Sequence, residues 1–184
     1  MPSEVSTMKA KRKKYTSQDL NPRFREIYSD IIKGKIIQDD YSDNHEIQRE
    51  QSLLNIFQSR KKYLKDEIER TIKHLKSAEW SNEFSVEVGR LGGQLGGLKR
   101  TFLQESKIYV IHALWPDAKF SGNVLMTISE KLFGNGFNRS FLHFKGHALG
   151  SEALFSGVSD PVPDISDDDI HQAGILMSIL KKAL

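Results

Sequence analysis

Between Asn44 and Trp80 the chain contains neither glycine nor proline, and apolar residues return there as Ile47, Leu54, Phe57, Leu64, Ile68 and Leu75. Spacings of this kind keep the side chains on one side of an α-helix, near the a and d positions of a heptad. A long helix is predicted, with a solvated outer face. Lys62/Asp66, Lys65/Glu69, Asp66/Arg70 and Glu69/Lys73 stand as opposite charges at i,i+4, each pair contributing about 0.2–0.5 kcal/mol. Glu50, Lys61 and Thr71 interrupt the apolar seam. A short coiled coil or one arm of a helical hairpin is expected, rather than an extended rod. Leu54, Phe57, Leu64, Ile68 and Leu75 are the expected partner-binding seam, and residues 45–80 the main element expected to bind a partner protein.

The flanking segments extend the helical reading. Asn21-Pro22 suits a helix start with proline at the first position, and Phe24, Ile27, Tyr28, Ile31 and Ile32 follow at helical spacing. This helix is expected to run to about Asp39-Asp40, where Asp39-Asp40-Tyr-Ser-Asp-Asn reads as a loop. Past Trp80 the texture changes. Phe84, Val86 and Val88 alternate, and then five of the nine residues from 89 to 97 are glycine. Inside a helix each glycine costs about 1 kcal/mol relative to alanine, so helicity there needs compensation. Gly89, Gly93 and Gly97 fall four apart. The tract is expected to start a second long helix, to bend it, or to let another helix approach its backbone. Leu98, Phe102, Ile108, Ile111 and Trp115 carry that helix to Pro116.

Shorter elements are predicted beyond Pro116. Ser121 can cap a helix through Val124, Leu125, Ile128, Leu132 and Phe133, ended by Gly134-Asn135-Gly136. Pro161 and Pro163 mark a stiff loop. Ser166 with Asp169 resembles a capping box, and Ile170, Ala173, Met177, Leu180 and Leu184 give a final helix its apolar stripe. The expected organisation is mainly α: a disordered basic tail over 1–18; a long-helix or coiled-coil region over 19–115, in which the short first helix and the long one form an antiparallel hairpin and a third long helix follows the glycine tract; and a C-terminal helical region over 116–184.

Charge separates the tail from the rest. The formal excess is +3, and residues 1–19 hold Lys9, Lys11, Arg12, Lys13 and Lys14 against Glu4 and Asp19, which accounts for all of it. The pI near 9.0 therefore does not describe a basic globule. The body is neutral. With 38% hydrophobic residues and a mean hydropathy of −0.47 it is apolar enough for one core, and no apolar run reaches the roughly 18 residues of a membrane span. The tail lacks the apolar stretch of a secretory signal. Lys11-Arg12-Lys13-Lys14 suits a nuclear-import signal taken up in extended form by an acidic groove, or an arm that displaces counterions from nucleic acid.

Residue-level chemistry is sparse. The absence of cysteine removes thiolate nucleophiles, disulfides and sulfur-ligated zinc. The glycine tract contains no G-x-G-x-x-G and no following Lys-Ser or Lys-Thr, so it does not read as a phosphate loop. His143 and His147 stand four apart, but Gly146 lies between them and no glutamate adjoins His143, which argues against a helical metal pair. Asp164, Asp167, Asp168 and Asp169 read as helix-start residues. No cofactor, metal or catalytic residue is expected. The expectation is a non-enzymatic subunit of a nuclear multiprotein complex, chromatin- or transcription-related, acting through its long helices, with the cytoplasm as the alternative address. The competing expectation is a small DNA- or RNA-binding regulator using the tail with Arg23, Arg25, Lys33 and Lys35.

Overall fold

The computed structural model describes residues 13–34, 36–37, 50–77, 82–137 and 159–184. The protein is mainly helical. A single turn at Ser17–Asp19 leads into α1 (Pro22–Lys33), followed by two-residue strands β1 (Ile36–Ile37) and β2 (Glu50–Gln51), then α2 (Leu53–Ser77), α3 (Asn82–Leu114), α4 (Gly122–Phe133) and α5 (Asp167–Ala183).

Local chemistry sets the element ends. Asn21 caps α1 by accepting from the Phe24 N–H at 2.9 Å, with Pro22 at the first helical position. The helix stops at Lys33, short of the expected Asp39-Asp40. Gly34 closes it with an N–H bond to the Asp30 carbonyl at 2.8 Å, and the chain turns into β1, where Ile36 pairs with Gln51 and Ile37 with Glu50, antiparallel. The β-branched pair outweighed a helical continuation. The long helix likewise begins later than Asn44. Glu50 and Gln51 are in β2, and Ser52, whose hydroxyl accepts from the Asn55 N–H at 3.1 Å, starts α2. Ser121 and Ser166 cap α4 and α5 as expected, accepting from Val124 and Asp169. Gly134 ends α4 at φ 77°, a left-handed conformation that glycine adopts at little cost.

The largest difference lies in α3. Its 33 residues run through both the alternating stretch at Phe84–Val88 and the whole glycine tract, which neither starts nor ends the helix. The long partner of α2 is therefore α3, not α1, and the two form an antiparallel hairpin.

The core gathers Phe24 and Ile31 of α1, Phe102 and Ile111 of α3, Leu125, Ile128 and Leu132 of α4, and Leu176 and Leu180 of α5, all essentially removed from solvent. Each contributes about 1.5–3 kcal/mol through burial. Polar bonds tie the helices together at their ends. The Asn21 N–H donates to Gln172 at 2.8 Å, and the Arg23 guanidinium donates to the Leu114 carbonyl at the end of α3 at 2.8 Å while lying 4.0 Å from Asp169. The Tyr109 hydroxyl donates to Asp30 at 3.2 Å, and burial together with that carboxylate pushes the phenol up to about 12. The edge of the body also reaches further toward the N-terminus than residue 19. Thr16 caps the Ser17–Asp19 turn, and Arg25 donates to the carbonyls of Ser17, Gln18 and Leu20.

Candidate interaction surface on the helical arm

Only the base of the hairpin belongs to the core. Leu53 and Phe57 of α2 and Phe102 to Leu114 of α3 join it, whereas Leu64 and Leu91, although buried, lie outside the core cluster. They form the seam of an arm that leaves the body. At 1.5 Å per residue, the part of α2 beyond Phe57 is about 30 Å long.

The seam is built as the heptad spacing suggests, with a wider base. Phe57 meets Phe102 with ring centroids 5.5 Å apart, tilted by 54°. Phe57 and Leu64 are buried, while Leu54 and Ile68 are half-buried. Leu53 and Ile56 are buried as well, because α2 packs against both α1 and α3 at this end and a two-sided contact needs a broader stripe than an a/d pair provides. The side chain of Leu75 lies outside the described residues. Of the expected partner seam, Phe57 and Leu64 therefore face the chain's own α3. A buried carboxylate, Glu105, sits 3.8 Å from Arg60 across the interface, which favours one register of the hairpin.

The outward side of the arm is different in character. Tyr63 is 62% exposed, Ile72 39% and Val86 70%, the last two toward the tip of the hairpin. Between the helices an open groove of about 410 Å³ is lined by Arg60, Tyr63 and Leu64 from α2 and by Gln94, Gly97 and Thr101 from α3. Arg90 and Glu87 bond side by side at 2.6 and 3.0 Å, which holds the Glu87 carboxyl below its ordinary range. On α2, Arg70 pairs with Glu67 at 2.7 Å, an i,i+3 contact in place of the expected i,i+4 one to Asp66.

The glycine tract is the least explained part of this surface by internal packing. A Cβ built at Gly89, Gly92, Gly93, Gly96 or Gly97 meets no atom of the described residues within 4 Å. Among the described residues no neighbouring helix uses the approach these residues permit.

Residues 1–12 of the basic tail, Lys9, Lys11 and Arg12 among them, lie outside the described residues. Lys13 and Lys14 are exposed ahead of the Thr16 cap, and the Lys13 ammonium lies 5.4 Å from the Tyr15 ring centroid. On α1, Arg23 and Arg25 are engaged in the intramolecular bonds given above; Lys33 is exposed, and Lys35 is outside the described residues, as are His143 and His147. Among the described residues no cluster of His, Asp or Glu could hold a metal ion, and no helix is long and apolar enough to cross a membrane. The pattern Leu54, Phe57, Leu64, Ile68 pointed to the seam. Tyr63 and Val86 carry no signal of their own, since one exposed apolar residue looks like another until the neighbours are known. No family model, curated protein or solved structure matches the chain.

Proposed function

We propose that the chain is a non-enzymatic subunit of a nuclear multiprotein complex, chromatin- or transcription-related, that holds a partner through the α2–α3 arm. The observation that carries this reading is the open glycine face. Five glycines in the middle of a helix cost about 1 kcal/mol each relative to alanine, and no close contact within the described residues offsets that cost. A helix of another protein laid along this face would approach the backbone closely and recover it. Exposed Tyr63 and Val86 add the aromatic and aliphatic surface typical of interface anchors.

Lys9, Lys11, Arg12, Lys13 and Lys14 supply the nuclear address in this reading. Nucleic-acid binding through the tail and α1 is the weaker alternative, because Arg23 and Arg25 already hold backbone carbonyls of the body. Purification of the tagged chain from cells, with identification of the copurifying proteins, tests the subunit role; a chain recovered alone and monodisperse overturns it. Deleting residues 9–14 in a fluorescent fusion is expected to abolish nuclear accumulation, and unchanged localisation removes the nuclear part.

A further inference from the structure

On the half of α3 away from the arm tip, three cations converge on one cleft. Arg100 and Lys107 of α3 and Lys181 of α5 line a space of about 290 Å³, walled by Phe133, Asn135 and Met177. Lys107 is 7% exposed. Its ammonium donates to the Asn135 side-chain oxygen and lies 5.6 Å from the Phe133 ring centroid and 5.9 Å from that of Phe137. Local bonds fix the turn that presents Asn135. Gly134 takes the left-handed conformation, the Ser129 hydroxyl donates to the Asn135 carbonyl at 2.7 Å, and the Phe137 N–H donates to the Met126 sulfur at 3.2 Å.

Burying an ammonium is costly unless an opposite charge accompanies it. Among the described residues lining the cleft there is no carboxylate. Glu130 lies beside Gly136 with Met126 and does not line it. Among the described residues an amide oxygen and two ring faces are what meets the Lys107 charge, which they compensate only partly, and burial with the nearby Lys181 holds its pKa below the ordinary lysine value. A methionine or leucine would pack the position at lower cost.

We infer that this cleft binds a small organic phosphate, its phosphoryl oxygens held by Arg100, Lys107 and Lys181 and its less polar part lying against Phe133 and Met177. The guanidinium supplies paired donors and the two ammonium groups supply compact charge, which together match a phosphomonoester. The volume sits at the small end of ligand sites, about 300–1,000 Å³, which suits a monophosphate better than a polymer. Nothing in this inference depends on the arm or on the tail.

Calorimetric titration of the full chain with inorganic phosphate and with adenosine monophosphate tests it. Saturable binding of the nucleotide is expected, weakened about 10-fold or more by Arg100→Ala or Lys181→Ala, two exposed positions whose loss leaves the core intact. Lys65→Ala on α2 is the control and should bind as wild type. No saturation by either probe, or equal loss in Lys65→Ala, overturns the proposal. A DNA duplex that binds more tightly than the monophosphate, and loses that binding in the Arg100→Ala/Lys181→Ala double variant, would assign the cleft to a polymer and overturn it equally.

Discussion

Replacing Gly92 and Gly96 together by alanine should stabilise the protein. Both are exposed positions inside α3, and an added Cβ meets nothing within 4 Å among the described residues. Each substitution removes backbone freedom from the unfolded chain without a steric cost in the folded one, contributing about 0.4–1 kcal/mol. The pair should therefore add roughly 1–2 kcal/mol, or about 3–6 °C in the thermal midpoint for a chain of this size. Thermal and urea unfolding followed by circular dichroism at 222 nm measure both quantities. The helix signal of the folded state should stay the same or rise slightly. A lower midpoint would refute the reasoning in one of two ways, since either the tract is not helical or a neighbour already occupies the face.

Other expectations concern the body. Phe102→Ala removes a ring that is 2% exposed and packed at a tilt against Phe57, and should cost about 3–5 kcal/mol in urea unfolding; a loss under 1 kcal/mol would mean that the hairpin base is not packed through these rings. Tyr109, raised to about 12, should give a late step near that pH in an absorbance titration at 295 nm. Because the folded state keeps the phenol protonated, its contribution to stability is fully present below about pH 10 and fades as pH rises toward 12. Tyr109→Phe should abolish the late step, and an unchanged titration would show that another tyrosine carries it.

The helices were legible in the sequence to the extent that their signals are local. Caps at Asn21, Ser121 and Ser166 use a side chain and an amide three residues apart, and of the expected final stripe Ala173, Met177 and Leu180 are buried, Leu184 is half-buried, and Ile170, in the first turn of α5, is exposed. What failed was weighing one local signal against another. The β-branched Ile36-Ile37 ended α1 early, and the glycine tract, expected to start a helix, bend it or admit another helix to its backbone, does not start one: the helix runs through it from Asn82 with Leu91 buried in the seam. The hairpin partner of α2 also depended on distance in the chain, since Phe57 and Phe102 meet only once the tract is helical. The cationic cleft had no sequence signature at all. Arg100, Lys107, Asn135 and Lys181 come from three separate segments, and only the packing of α5 and the α4 turn beside α3 brings them together.

The central claim is that the glycine face of the arm receives a partner. Leucine at Gly92 and Gly96 keeps good helix propensity but fills the approach to the backbone. Quantitative affinity capture of the wild type and of the Gly92→Leu/Gly96→Leu variant, each checked for a cooperative melt, measures the effect. The wild type should retain one stoichiometric partner, and the variant, still folded, should lose it by about 10-fold or more, the loss expected when a tightly packed interface position is blocked. An equal yield of the same partner with both proteins would contradict it.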